Sequence, residues 1–565
     1  MSWSTAGLTL ASRLSEDPSV SVLVLEAGGF DPDDQLILRP AQYGAHFGQD
    51  EYVWQFKTVP QENVAGRQIG WERGKVLGGS SAVNFLAWTK PAKGDIDGSE
   101  MLVGTGKALA KPFPRQSPLL LQKPQQQNPG EPTIWKVGMD NILKDLCNYL
   151  FRALYWMILV EITTMLTSRY QALVNSGIQK APQPPHGTFF TLNTLDPSSN
   201  NRSYSTSFFL RNSARPNLSI LLNAYATKLE IPSSEGDLTA TGVEFIHRDK
   251  SCVARADKEV ILCAGALKTP QILELSGIGR PNVLKQVGIT PCLDLPVGEN
   301  VQEHVFVSLT YELKDGVPDE TLDVLNNEIQ RQQHIDLHSI YSDTIESLKA
   351  KIDQGRYPPG ATETLRMQIQ KVENRTYLDC EIATLPAFFS GPNPHRPGKK
   401  HFTVFCFNNS LFSRGTAHIT SSDPSAHLAY DPHYFEDKAD IEALVETVKF
   451  ARKVCRTAPF KDVLDEEPIE VNPGLEVQND EEISGMQYYN SWIKQILSST
   501  YHTVGTASML PRDKGGVVDS KLKVYGTTNI RVADLSIAPM QVSSHTQSLA
   551  YGIAEKAAII IRGQT

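Results

Sequence analysis

Residues 261–279 read ILCAGALKTPQILELSGIG, and the class of fold is decided there. EVIL, ending at Leu262, has the continuous apolar and β-branched character of a buried strand. Cys263, Ala264, Gly265 and Ala266 are small and turn the chain. KTPQILELSG then reads as a helix. Pro270 falls in its first turn, where a missing N–H does no harm, and Gly277 stops it. A strand whose end meets a helix N-terminus across a small-residue turn is the βα unit of an α/β protein. Such a turn suits a phosphate or a ring edge. An ordinary core unit has the same letters, and one segment can serve both purposes.

Outward from it, the start of the chain offers a second such unit. TAGLTLASRL, residues 5–14, is expected to be a helix with Leu8, Ala11 and Leu14 on one side. Val20 to Leu25 is expected to be a strand buried on both faces. Glu26 closes it, 19 residues after Gly7, near the spacing at which an acid holds ribose hydroxyls. In a G-x-G-x-x-G fingerprint the three positions would be Ser2, Ser4 and Gly7. Only Gly7 keeps its glycine; a serine Cβ obstructs both the tight turn and the approach of a pyrophosphate. The strand that should precede the helix is not in the chain. Its neighbours in a parallel sheet would keep unpaired backbone groups at about 1–3 kcal/mol each. The expectation is a chain whose coding model starts late.

A third stretch, GKVLGGSSAVNFLAWTKP at 74–91, places small residues after a basic extended run. A loop of that kind can lie against a dinucleotide without side-chain collision.

Composition removes other classes. At 565 residues the chain exceeds a single core, so two or more domains are expected. A net charge of −9 gives no electrostatic reason to expect nucleic acid or an anionic membrane as partner. Seven scattered cysteines contain no CxxC pair, so neither a metal site nor a disulfide framework is indicated. No basic–apolar–small leader opens the chain. The greasiest stretch, FRALYWMILVEITTML, carries Arg152 and Glu161 and falls short of the ~20 apolar residues that span a bilayer. Compartment and oligomeric state stay open, a lost leader included. Four N-x-S/T sequons, at Asn201, Asn217, Asn374 and Asn408, decide little.

Segments 74–91 and 261–279 together resemble the two signature segments of the glucose–methanol–choline (GMC) oxidoreductases, in order and at the expected separation. YHTVGTASMLP from 501 to the terminal helix is similar to the family's C-terminal block, and DLPVGENVQEH (294–304) and SRGTAHITSSDP (413–424) are smaller matches. The resemblance covers residues 5–97 and roughly 170–565 and is closest to fungal members acting on alcohols. It implies a discontinuous, Rossmann-like FAD-binding domain from 1–97, 200–300 and 500–565. A substrate domain from 98–199 and 301–499 would carry an antiparallel sheet with flanking helices, an α+β unit on an α/β protein.

The resemblance also implies a site. FAD would be held by Thr5, Ala6, Gly7, Glu26, Gly78, Gly79, Ser80, Asn84, Ala226, Ala264, Gly265, Asp534 and Gln547. NLSILLNAYATKLEI, holding Ala226, reads as two hairpin-like strands, and NIRVADLSIAP as a strand finishing at Asp534. Some members bond the flavin through a histidine just before the Asn84 position; Val83 stands there, so the FAD is expected to be noncovalent. Of 13 histidines, His502 and His545 match the family's paired catalytic positions. A histidine, with a pKa of about 6.5, can take the hydroxyl proton of an alcohol at neutral pH. His502 is assigned as general base and His545 as the group that orients the hydroxyl. The substrate is then a small-molecule alcohol, with O2 or a quinone-like acceptor as oxidant. Phe388, Phe389 and Phe412 are candidates for a pocket wall, against the commoner reading as core.

The chain departs from the family pattern at Ser2 and Ser4 and again over residues 98–169. Residues 111–133 are rich in Pro and Gln, with little reason to fold. A divergent lid and a retained intron or frame error both produce such text. Two other readings stay open: a non-redox lyase or cyclase on the same scaffold, and an inactive chain that binds no cofactor.

Overall fold

The computed structural model describes residues 5–40, 42, 44–91, 95, 192–196, 199–206, 215–232, 236–314, 338–374, 380–385, 387–458, 461, 464, 469–473 and 492–564. Ser2, Ser4, residues 98–169 and the greasy stretch at 151–166 lie outside them.

The first helix spans Thr5–Leu14, and only Arg13 on it is not buried. It is buried on nearly every side because it lies between the strand Val22–Leu25 and the closing helix Gln547–Ile561. Arg13 reaches the closing helix, with Nε 2.9 Å from Glu555 Oε1. The strand Val22–Leu25 runs parallel to Leu218–Leu221, with Val22 opposite Leu218 and Leu25 opposite Leu221. The expectation of burial on both faces is corrected: Leu23 is 47 % exposed. Alternation along the strand turns Leu23 to the opposite side from Val24, which is sealed under Leu8, Ala11 and Leu77.

NLSILLNAYATKLEI is also corrected. Its two strands, Leu218–Leu221 and Ala224–Glu230, do not pair with each other. The first joins the opening strand, and the second begins the antiparallel order Ala224–Glu230, Gly242–His247, Lys250–Arg255. Asn223, with φ of 52°, sits at the switch between them. The decisive βα unit is present as expected. Val260–Leu262 runs parallel to Ile530–Val532, and helix Thr269–Leu275 follows with a proline in its first turn. Gly277 ends it at φ of 80°, a conformation that costs glycine least. NIRVADLSIAP ends its strand at Val532, earlier than Asp534. Asp534 instead caps the short turn Leu535–Ile537, accepting from Ser536 N.

A five-stranded antiparallel sheet forms the second centre. Its order is Cys380–Leu385, His401–Asn408, Val305–Glu312, Glu470–Asn472, with Ser498–Ser499 also on Val305–Glu312. Alternation sorts its faces. Val305, Val307 and Leu309 join Phe402, Val404 and Cys406 in a core with Leu444, Val445 and Val448 of helix Lys438–Cys455. Phe306 pairs opposite Phe407, and Phe407 opposite Glu381, on the other face. Helices His338–Asp353 and Pro359–Glu373 pack together over Phe412. A separate cluster of Ala6, Leu10, Leu25, Leu262, Val532, Ile553 and Ala557 seals the parallel strands.

Two sequons are closed by the fold. Asn217 Nδ2 donates to three backbone carbonyls, of Ser15, Asp17 and Val20, and Asn408 is 1 % exposed. Among the described residues no helix is long and apolar enough to cross a membrane, and no group of three or more His, Cys, Asp or Glu could hold a metal ion.

Candidate functional site

One cleft, enclosing about 1770 Å³ of non-atom space including its open mouth, runs between the parallel strands and the antiparallel sheet. Thr5, Gly79, Ser80, Asn84, Ala264, Gly265, Gln547, His502 and His545 line it. Residues up to 542 positions apart are thus brought to one surface by the fold.

The GGSS segment forms a short 3-10 turn, Gly79–Ala82. Gly78 precedes it at φ of 101°, and its carbonyl accepts from Ser81 Oγ at 2.7 Å and Thr5 Oγ1 at 3.4 Å. Gly78 thus holds the turn from behind rather than facing the cleft. Asn84 is fixed by Arg202, whose Nη1 donates to Asn84 Oδ1 at 2.7 Å. Val83 lies on the cleft wall and offers no nucleophilic atom. Gly265 has φ of 79°, and nothing lies within 4 Å of the place its Cβ would take. Bare backbone therefore faces open space at the strand–helix turn, the cradle a flat or phosphorylated group needs. Asp534 acts behind it: its Oδ2 accepts from Gly265 N at 2.9 Å and Thr269 Oγ1 at 2.7 Å. Its carboxylate is consumed in shaping the turn, and burial pushes its pKa up.

Four other expected residues stand back from the cleft wall. Ala6 and Gly7 are buried within the first helix. Glu26 is 1 % exposed, and its Oε1 accepts from Gly28 N at 2.7 Å. Ala226 sits at an irregularity in the strand pairing, opposite Phe245. Of the three phenylalanines, Phe389 lines the cleft, Phe412 is core against Tyr341, and Phe388 packs against His395 and His401. Gly265's bare backbone and the small-residue turn beside it fit FAD.

The histidine pair is assembled from two loops. His502 and His545 have ring centroids 4.9 Å apart. Tyr501, immediately before His502, has φ of 64°; a bulky residue held there stores strain, which the surrounding contacts must over-determine. His545 hangs from Thr89, whose Oγ1 accepts from its N–H at 2.9 Å, just before the closing helix. Burial, followed by the nearby His545, His304 and Arg73, holds the His502 pKa well below its ordinary value, so its imidazole is neutral. A neutral imidazole has one nitrogen free to accept a proton.

Two residues not singled out in the sequence complete the pair. His304 Nδ1 lies 3.0 Å from His502 Nδ1, and burial lowers the His304 pKa to about 3. With both rings neutral, one Nδ1 donates and the other accepts. If His502 donates, its Nε2 is left as the acceptor. Glu381 Oε1 lies 3.1 Å from His545 Nε2. His304 sits in the DLPVGENVQEH match; Glu381 left a fainter trace, a lone acid in the apolar strand CEIATL.

From the histidines to the cleft mouth runs a relay of rings. Phe407 is 6.2 Å from His545, Phe405 is 6.0 Å from Phe407, and Phe389 is 5.4 Å from Phe405. Phe85 touches Phe389 at 6.3 Å, and Phe47 joins Phe85 to Tyr501. Phe389 is 41 % exposed, at the outer end.

Comparison with known proteins identifies relatives of the whole chain. Residues 176–306 and 412–554 match the N- and C-terminal models described as GMC oxidoreductase. The GMC oxidoreductase family protein Mala s 12 of Malassezia sympodialis is 32 % identical over 99 % of this chain and 91 % of its own length. A glucose oxidase of Aspergillus carbonarius is 28 % identical over 97 % of this chain and 89 % of its own. Among solved structures, a formate oxidase superposes with a TM-score of 0.76 at 24 % identity, covering 99 % of this chain and 97 % of that one.

Proposed function

The chain belongs to the GMC oxidoreductase family and is an FAD-dependent enzyme acting on CH–OH groups, and we propose that it oxidises a hydrophobic, ring-bearing primary or secondary alcohol with His502 as general base. The observation that carries this reading is the pairing of a neutral, half-buried His502 with His545 at the inner end of a phenylalanine-lined cleft.

The residues proposed to hold the cofactor are Thr5, Gly79, Ser80, Asn84, Ala264, Gly265 and Gln547 on the cleft wall, with Gly78 and Asp534 fixing the turns behind them. FAD, when bound, supplies the hydride acceptor and returns its electrons to O2 or a quinone-like acceptor. His502 receives the hydroxyl proton of the substrate. His545, braced by Glu381, orients that hydroxyl. Base catalysis of this type contributes on the order of 10²–10⁴-fold. The phenylalanine relay excludes water and favours an aromatic or conjugated substituent over a sugar, because offset and edge-to-face ring pairs add about 0.5–1.5 kcal/mol beyond area burial. Val83 supports noncovalent attachment.

The test begins with the visible spectrum of the purified protein. A yellow protein whose flavin bleaches anaerobically with a benzylic alcohol, and whose His502→Ala variant stays yellow and unbleached, supports the reading. Bleaching of that variant at the normal rate removes His502 as base. Substrate turnover with the flavin staying oxidised points to non-redox chemistry, and a colourless folded protein to the inactive chain.

A further inference from the structure

The loop that presents His502 is tied to a carboxylate that touches no substrate-facing surface. Glu303 is 3 % exposed and stands just before the strand Val305–Glu312. One of its oxygens, Oε1, accepts from His502 N at 2.6 Å, from His304 N at 3.0 Å and from Thr500 Oγ1 at 3.5 Å. The other, Oε2, accepts from Thr503 Oγ1 and lies 3.5 Å from Arg73 Nη2. Arg73 itself donates to Thr503 Oγ1 and to the carbonyls of Trp71 and Glu72, and it lies on the cleft wall. A charged pair in such surroundings is costly to bury unless its remaining hydrogen-bonding capacity is filled, and here it is filled by the His502 loop.

Two consequences follow from the geometry. The strained turn at Tyr501 is over-determined from one point, since Glu303 grips residues 500, 502 and 503. In addition, the Arg73 charge, which disfavours a proton on His502, is paired with the carboxylate that accepts from the His502 backbone N–H. We propose that the Arg73–Glu303 pair is the positioning element of the general base, anchoring the backbone of His502 and balancing the charge beside its ring. This rests on the assignment of His502 as base.

The ionisable groups that face His502 come from several elements. Arg73 comes from the stretch before the GGSS turn, whose Glu72 faces Tyr501, and His304 from the sheet strand's entry, where Glu303 holds the His502 backbone N–H. His545, with Glu381 behind it, comes from the loop before the closing helix, and Tyr501 is its own neighbour. Of these, Arg73 and Glu303 act with opposite sign. Removing the carboxylate leaves Arg73 uncompensated; removing Arg73 leaves the carboxylate.

The experiment is the pH dependence of anaerobic flavin reduction by a benzylic alcohol in the flavin-loaded enzyme, for Glu303→Gln, Arg73→Gln and the double variant. Flavin content and melting temperature are followed alongside. Glu303→Gln is expected to slow reduction by about tenfold or more, from loss of charged hydrogen bonds, and to move the acid limb of the profile to lower pH. Arg73→Gln should move that limb to higher pH, and the double variant should return it toward wild type. A purely structural defect would not shift the two single variants in opposite directions. Limbs that move the same way, or that stay in place in a folded, flavin-loaded Arg73→Gln enzyme, overturn the proposal. Failure of the base assignment is separable: it appears as a normal reduction rate in His502→Ala, whatever these variants do.

Discussion

Replacing Glu381 by Gln tests how much the second histidine depends on its buried partner. Glu381 is 1 % exposed, and its Oε1 lies 3.1 Å from His545 Nε2, while Oε2 accepts from Asn409 Nδ2 at 2.9 Å. Gln keeps the volume and one oxygen but removes the charge. A hydrogen bond to a charged group contributes about 1.5–3 kcal/mol. If His545 orients the substrate hydroxyl, that energy is lost from the reacting geometry. At about 1.36 kcal/mol per tenfold, the reduction rate should fall roughly 10- to 150-fold. The assay is anaerobic rapid mixing with a benzylic alcohol, following loss of the oxidised flavin band at saturating substrate, with flavin content measured on the same sample. A fully loaded Glu381→Gln enzyme that reduces within about twofold of wild type, well under the lower bound worked from, refutes a role for this pair in orienting the alcohol.

Three further outcomes are expected. Gly265→Val should fold but lose flavin occupancy, because the added side chain enters open cleft space and adopts a left-handed φ that costs roughly 1–2 kcal/mol; absorbance ratios of the purified variant check it. Acid precipitation of the holoenzyme should release all flavin to the supernatant, since Val83 has no atom with which to bond it; flavin retained in the pellet would contradict this. Acidification should destabilise the fold through His304. Its folded pKa of about 3 lies below the unfolded value near 6.5, so between those limits the unfolded chain binds more protons and stability falls as pH falls. The loss is about 1.4 kcal/mol per pH unit below 6.5, or about 2 kcal/mol by pH 5. His502 acts in the same direction, while Glu303, whose pKa burial raises, opposes. Urea midpoints at pH 6.5 and pH 5 for wild type and His304→Gln measure the difference.

Local pattern made the first helix and the βα unit at 260–275 legible. In each, apolar spacing, a proline at a helix start or a glycine at its end acts within a few residues. The signature text likewise pointed to GGSS, Gly265, His502 and His545, and the fold sets these along one cleft. Strand partnership was not legible in the same way. Leu218–Leu221 and Ala224–Glu230 look like a hairpin, yet they belong to different sheets, because pairing is set by distant strands and not by the connecting turn.

The residues that support the histidines were the least visible. Glu381 meets His545 behind the cleft wall only because its strand pairs Glu381 opposite Phe407, a register no local window contains. Glu303 reads as one acid in a polar loop, and its meaning comes from Arg73, some 230 positions earlier, and the turn at 500–503, some 200 later. Sequence alone therefore determined which elements form and which chemistry the chain carries, since those depend on neighbours in the chain. Tertiary structure alone decided which charges are buried together and which rings face the cleft. Those outcomes depend on desolvation and on contacts between segments that have no proximity until the chain has folded.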